Sequence, residues 1–400
     1  MPFSLHLPPH GALIAGLSLT RLIGWGSIYY APSVLAAPLA RDLGLGPATV
    51  FGGITILLVI GAMIAPPLGR HLDQRGTRAV MVLGALVCAT GLGLFSLVQG
   101  PVSYLAIWLV IGVGHAMQLS NAGNVTVAQL TGERARRILG LMMLVTGLSS
   151  SVFWPLTAWI TDAIGWRNCL LVFAAMQLLI VLPIHAAIPR YRARPPEAAP
   201  DEVLSAIDRG RVPPADRRPV FILLAFAFSA SGVVSWGLPL HVIGLMESAG
   251  IGHATAVTIA ALGGPATLAA RAIDAVAGQR LPVEKVALVG LVLGPLACLL
   301  MATAPGNAMI AGAFMILYSA AMGVIAVARV TLPLALFGRL GFGAMLGRLT
   351  VPQNLAFAAA PLLFAVLIER VGLMVTLLLC AVLQGCALVA MALMVRRLPA

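Results

Sequence analysis

The 400-residue chain is 60% hydrophobic and only 10% charged, with a mean hydropathy of +1.00, where a soluble domain carries about 25% charged residues. That composition excludes a soluble globular enzyme, and the 42 glycines and 27 prolines, scattered through apolar runs without a three-residue period, exclude a disordered or collagen-like chain. Lys plus Arg outnumber Asp plus Glu by 25 to 13, a net charge of +12, which in a membrane protein records topology before it implies a nucleic-acid partner.

The opening MPFSLHLPPHG has no basic region, and the apolar run after it carries Arg21 and no small-residue cleavage site, so it reads as a retained first helix and not a signal peptide. A bilayer core of about 30 Å takes roughly 20 apolar residues of helix. Runs of that kind cover 11–37, 48–69, 78–99, 102–130, 137–161 and 165–189, then 219–247, 253–278, 282–303, 307–334, 343–368 and 372–395. Gly-Pro at 100–101 and Pro-Gly at 305–306 mark turns between them. The one long polar stretch, 190–218, holds Pro195, Pro196, Pro200, Pro213 and Pro214. The expected fold is therefore an all-α membrane protein of 12 transmembrane helices in two pseudo-symmetric six-helix bundles. Residues 1–189 form the N-terminal bundle, 190–218 a cytoplasmic linker and 219–400 the C-terminal bundle.

The cations sort by side. Nineteen fall in the linker or after even-numbered runs, among them Arg70, Arg75, Arg78, Arg134, Arg136, Arg137, Arg280, Lys285, Arg339, Arg348, Arg396 and Arg397; only Arg41, Arg167 and Arg370 fall on the alternate side. The positive-inside rule puts both termini and the linker in the cytoplasm of a multi-pass inner-membrane protein. The bilayer is then the expected large partner, with no nucleic acid, and a monomer is the expected state. Arg21, Arg271 and Arg329 are left inside the spans. Cys88, Cys169, Cys298, Cys380 and Cys386 lie singly without a CxxC pair, so no disulfide framework, metal or cofactor is expected.

Sliding one half over the other gives a nearly constant offset. Tyr29-Tyr30-Ala31-Pro32 lies over Trp236-Gly237-Leu238-Pro239, Trp154-Pro155-Leu156 over Ala360-Pro361-Leu362, and Arg70-His71-Leu72-Asp73 over Arg271-Ala272-Ile273-Asp274. Parallel repeats of this kind place a substrate site between the halves near the membrane midplane.

Twelve spans, the six-plus-six repeat, the cytoplasmic linker and the loop Gly69-Arg70-His71-Leu72-Asp73-Gln74-Arg75-Gly76-Thr77-Arg78 together resemble the major facilitator superfamily over nearly the whole chain. The loop follows that superfamily's G-x-x-x-D-R-x-G-x-R pattern, except that Gln74 intervenes between Asp73 and Arg75. The turn Gly165-Trp166-Arg167 is a second, less specific likeness. Gly24-Trp25-Gly26-Ser27-Ile28-Tyr29-Tyr30 resembles the monocarboxylate and oxalate/formate branch, without that branch's acidic start to helix 1.

The resemblance implies that the loop is a conformational latch formed by Gly69, Arg70, Asp73, Arg75, Gly76 and Arg78, with Arg271 and Asp274 as its repeat copy. Asp73 at a cytoplasmic helix end can pair with Arg70, Arg75 or Arg78 and face the positive N-terminus of a helix in the other half. The plain alternative is a set of positive-inside anchors, with Arg271 and Asp274 a structural pair.

The resemblance also implies that helices 1, 4, 7 and 10 line the central cavity, and Arg21 and Arg329 fall on that set. A charge at a helix centre costs about 2.5 to 3.5 kcal/mol on insertion scales, so something must compensate it. Arg21, Trp25 and Tyr29 form an i, i+4, i+8 stripe, and Arg329 shares a helix face with Tyr318. No acidic residue lies deep in those four helices, which points to a cationic cavity that attracts an anion. The alternative is that each guanidinium bonds backbone carbonyls or snorkels to an interface. His115, Gln118, Asn121 and Asn124 recur in steps of three and fit a wet cavity wall, or equally interhelical hydrogen-bond glue. His115 is the candidate carrier of a co-transported proton. Trp236, Gln353 and Asn354 complete the candidate lining.

The function this implies is secondary active transport of a small solute, an organic anion first, by alternating access; the alternative is export of drugs or other amphiphiles. A membrane enzyme holding metal and pyrophosphate would need paired carboxylates. The nearest, Asp201 and Glu202, sit in the linker.

Overall fold

The computed structural model describes residues 11–190, 210–277 and 281–398. The first ten residues, most of the linker with Asp201 and Glu202, and Arg280 lie outside the described residues. Every described element is helical. In chain order they are α1 (Gly11–Gly24), a π-helical segment (Trp25–Tyr30), α2 (Ala31–Leu43), α3 (Pro47–Arg75), α4 (Arg78–Phe95), α5 (Pro101–Gln118), α6 (Ser120–Thr131), α7 (Ala135–Gly147), α8 (Ser149–Ile164), α9 (Trp166–Met176), a π-helical segment (Gln177–Val181) and α10 (Leu182–Ala186). After the linker come α11 (Arg217–Ser248), α12 (His253–Ala261), α13 (Gly263–Ala277), α14 (Val283–Thr303), α15 (Ala308–Phe337) and α16 (Phe342–Val395).

Among the described residues, 10 helical runs are long and apolar enough to cross a membrane. Two of them, Pro101–Ile164 with 64 residues and Phe342–Val395 with 54, are far longer than one crossing takes at 1.5 Å per residue. The second breaks at Gly372, whose φ of 77° no ordinary helix residue adopts. The first is interrupted at Leu119 (φ −99°, ψ −122°) and again by a 3-10 turn over Gly132–Arg134. A single helix over 102–130 was the expectation; the chain instead kinks where the Leu119 side chain fills the space beside Gly24 that a Cβ there would take.

The chain forms two compact units. Unit 1 holds residues up to Ile138, Val145–Leu204 and the short segment Gly341–Arg348; unit 2 holds Leu139–Leu144, Ser205–Leu340 and Leu349–Ala400. In unit 1, α3, α4 and α5 pack together around Phe95, Tyr104 and Trp108, whose rings meet edge-on at 5.2 to 6.1 Å. Trp108 comes this close because Gly53 offers no Cβ against its indole. The Tyr104 hydroxyl donates to Val50 O at 2.7 Å, which satisfies the buried phenol. The turn at Gly165 is tied down by Trp166, whose Nε1 donates to Asp42 at 2.7 Å, with Arg167 stacked over the same indole.

Unit 2 is built on α14 against α15 and α13 against α15. Its apolar core gathers Val234, Leu238, Phe314, Tyr318, Phe364, Cys298 and Cys380. The start of α15 is set by Asn307, whose side chain accepts from Met309 N at 2.9 Å and Ile310 N at 3.3 Å. Large apolar side chains also cover the outside, Leu179 at 76% and Met309 at 85% exposure among them. So much outward apolar surface is stable only in lipid.

Candidate functional site

In unit 1 the arginine of α1 is answered by α6. Arg21 is 3% exposed and its Nη1 donates to Asn124 Oδ1 at 2.6 Å. Gly123, one residue earlier, lies against the same guanidinium. One turn further along, the backbone widens into the π segment Trp25–Tyr30, a feature frequent at functional sites. Trp25 meets Tyr29 edge-on at 5.1 Å and His115 at 5.5 Å, so the expected stripe of Arg21, Trp25 and Tyr29 is continued across to α5. Tyr29 leads on to Tyr30 at 5.2 Å, and Tyr30 to Trp154 at 5.9 Å.

Deeper in the same unit a chain of neutral polar groups crosses the interior. Gln118 Nε2 donates to Gln177 Oε1 at 3.2 Å, and Gln177 Nε2 donates to Ser27 Oγ at 3.3 Å. His185, fully buried, sits between Met81 O at 3.1 Å and Thr20 Oγ1 at 3.2 Å. Gln118 thus belongs to an interhelical network, while Asn121 beside it is half-buried.

In unit 2, Arg329 of α15 reaches α11. Its Nη2 donates to Ser231 Oγ at 3.2 Å and Ser235 Oγ at 3.3 Å. Its Cζ lies over the Phe357 ring, 5.1 Å from the centroid. Phe357 stacks on Trp236 at 4.9 Å with an interplanar angle of 8°, and it fits against α11 because Gly232 carries no Cβ. Among the described residues no carboxylate pairs with Arg329, and its buried Nε has no hydrogen-bond partner. Tyr318 is 2% exposed, stacked on Phe314 at 5.6 Å, with its hydroxyl donating to Val234 O at 2.9 Å, next in sequence to the Ser235 that accepts from Arg329. That places it in the apolar core of unit 2. Gln353 and Asn354 are half-buried on α16, within a turn of Phe357.

The loop after α3 has a third arrangement. The Asp73 carboxylate accepts from Gly343 N at 2.8 Å and Ala344 N at 2.7 Å, in the first turn of α16. These amides have no intrahelical acceptor, and the helix dipole favours an anion there. The hydrogen bonds of Asp73 go to this backbone and not to Arg70 or Arg75, which are exposed, or to Arg78. The close approach depends on glycine: a Cβ on Gly69 would run into Gly343 O, one on Gly343 would lie 2.6 Å from Gly69 O, and one on Gly347 would run into Ala65 O. Gly76 ends α3 with φ 79°. In unit 2, Arg271 donates to Met143 O at 3.0 Å, on the helix segment that the repeat matches to the start of α16; Asp274 lies one turn after it.

Several of these partners carry no signal in the sequence. Ser231 and Ser235 are ordinary small polar residues spaced one turn apart, and Phe357 is one of 13 phenylalanines. Gln177 and His185 were readable as polar residues in the sixth apolar run, though nothing there tells which helix they face.

Human monocarboxylate transporter 11 is 26% identical over 265 residues, 60% of this chain and 54% of that protein. An uncharacterized 38 kDa protein of Thermoproteus tenax is 29% identical over 161 residues, 40% of this chain and 42% of that one. The chain thus matches about half the length of these relatives. The crystal structure of the human organic anion transporter MFSD10 (TETRAN) superposes with a TM-score of 0.70 at 20% identity, over 97% of this chain and 100% of that one. The proton:xylose symporter XylE superposes with a TM-score of 0.73 at 14% identity, over 95% of both chains. At such identities the two structures speak for the fold alone. The sequence profile of the Major Facilitator Superfamily matches residues 17–275, and the chain belongs to that superfamily as a multi-pass membrane protein.

Proposed function

We propose that this protein is a secondary transporter that moves a small organic anion across the inner membrane by alternating access. In this reading each of the two long helical runs is a pair of crossings, which gives twelve spans, and both termini are cytoplasmic by the distribution of arginines. The observation that carries the substrate class is Arg329: a guanidinium in an apolar helix, held by two serine hydroxyls and an aromatic face, with a buried Nε left over. A buried charge of this kind is retained at a cost, and a bound carboxylate supplies both the countercharge and the missing acceptor. Arg21 with Asn124 is the matching cation of unit 1. The name of one relative agrees with this substrate class, since human monocarboxylate transporter 11 is named for an organic anion. Asp73 on the α16 amides is the group proposed to open and close with the transport cycle, and His115 the group proposed to carry a proton.

The long aromatic chain of unit 1, from His115 through Trp25 and Tyr29 to Trp154, is the observation that favours the second reading, export of amphiphiles. A thermal-shift screen of the purified protein separates the two. Lactate and benzoate raising the melting temperature, with xylose and tetraphenylphosphonium inert, is the expected result. Stabilisation by tetraphenylphosphonium alone would replace the anion reading with the amphiphile one.

A further inference from the structure

His185 is held at both ring nitrogens by groups that suit it with one ring proton or with two. Its Nδ1 lies 3.1 Å from Met81 O, which can only accept, so that nitrogen carries a hydrogen in either charge state. Its Nε2 lies 3.2 Å from Thr20 Oγ1, and the same hydroxyl oxygen is 3.0 Å from Leu17 O. A hydroxyl has one hydrogen to donate and lone pairs to accept with, so Thr20 serves both forms. Beside neutral His185 it donates to Nε2. Beside the imidazolium it accepts from Nε2 and donates to Leu17 O. One hydroxyl hydrogen swings between the two states, no heavy atom moves, and neither state leaves a ring nitrogen without a partner. We propose that His185, Thr20 and Met81 O form a proton-binding site that takes up its proton together with the anion. This rests on the anion reading above and adds a second proton site to His115.

Helix packing alone does not call for an imidazole here. Gln177, on the same crossing, joins helices with an amide that stays neutral. His115 is set differently: its buried Nε2 has no hydrogen-bond partner among the described residues, so a second ring proton there finds no acceptor. A buried imidazolium is costly, and the charges around it decide when it forms. α10 packs on α4, on the π-helical segment Gln177–Val181 and on α1. The titratable or charged side chains of these elements are Arg78 and Cys88 on α4 and Arg21 on α1, with none on the π-helical segment. α6, which reaches Met81 through Thr126, has none either. Arg21 directly follows Thr20, and its positive charge opposes a proton on His185. An anion at Arg21 cancels that opposition, so anion and proton each favour the other's binding. The way out for the proton is short. Met81 lies three residues after Arg78 and His185 five before Arg190, two of the arginines that mark the cytoplasmic side.

Proton uptake on anion binding measures this directly. Sodium benzoate is added at neutral pH to the full-length protein in detergent and weak buffer, with a pH-indicator dye reporting protons and calorimetry reporting bound benzoate. The unaltered protein is expected to take up protons as benzoate binds. His185→Gln is expected to bind benzoate and to lower the uptake per bound benzoate by about twofold or more. Thr20→Val, which removes the partner of Nε2 and keeps Met81 O, is expected to do the same, and Thr20→Ser to preserve the uptake. In a His115→Gln protein, adding His185→Gln is expected to remove the uptake that remains. Using two positions and a hydroxyl-keeping variant means that one misfolded protein does not decide the result. Benzoate binding without proton uptake by the unaltered protein would overturn the proton site and leave the anion reading standing, as would uptake undiminished in both His185→Gln and Thr20→Val. Failure of the unaltered protein to bind benzoate, while tetraphenylphosphonium binds, would overturn the anion reading itself and the proton site with it.

Discussion

Asp73 caps the helix that begins at Phe342, its two carboxylate oxygens 2.8 and 2.7 Å from the amides of Gly343 and Ala344. The contact joins residues 270 positions apart in sequence. It is possible because Gly69, Gly343 and Gly347 let the two helices touch backbone to backbone, the close packing that small residues give membrane helices. If this contact must part during turnover, Asp73→Asn is expected to lower the maximal transport rate several-fold while leaving substrate affinity within a factor of about two. Kinetics in proteoliposomes measure both. An affinity loss with an unchanged maximal rate would argue that Asp73 serves the ligand and not the cycle.

The same interface makes a prediction about stability. Gly69→Val puts a branched side chain where Gly343 O now lies, and over-packing of this kind costs about 1 to 3 kcal/mol. Gly93→Val, at a position with nothing close to its missing Cβ, is expected to cost under about 1 kcal/mol. Melting temperatures of the two variants in one detergent check the difference.

Gln177 joins Gln118 to Ser27 through two hydrogen bonds. Interhelical hydrogen bonds in membranes average about 0.6 kcal/mol, so Gln177→Leu is expected to cost about 1 kcal/mol and to leave transport in place. Loss of transport in a well-folded Gln177→Leu protein would show that the network is part of the substrate path.

Tyr318 provides a contrast with Arg329, although the two lie on one helix. Its hydroxyl is occupied by Val234 O and its ring by Phe314. Tyr318→Phe is therefore expected to cost about 0.6 kcal/mol and to leave substrate affinity within a factor of about two. A tenfold affinity loss would return Tyr318 to the lining of the site.

What could be read from sequence, and what could not, follows from how a membrane constrains a chain. Long apolar runs and their charged ends announce themselves because the bilayer sets helix length and the cytoplasm collects arginine. Arg21 and Arg329 stood out for the same reason, each a charge in an apolar run. Their surroundings did so only in part: Asn124 belongs to the polar residues recurring in steps of three, whereas Ser231, Ser235 and Phe357 come from other helices and have no periodic mark of their own. Local backbone changes were equally hidden. The π segment at Trp25–Tyr30 and the kink at Leu119 are set by packing, Leu119 against Gly24 and Phe153 against Gly26. Tyr318 and Arg329, placed on one face by sequence, both bond to α11, Tyr318 at Val234 O and Arg329 at Ser231 and Ser235, and the sequence did not mark which of them has its polar group taken up by backbone.

The anion reading rests most heavily on Arg329, and one measurement addresses it directly: benzoate counterflow into proteoliposomes by the unaltered protein, Arg329→Lys and Arg329→Gln. Counterflow is expected of the unaltered protein, a reduced rate of Arg329→Lys, which keeps the charge but loses the guanidinium edge, and none of Arg329→Gln. Counterflow by a fully inserted Arg329→Gln protein at the unaltered rate would contradict it.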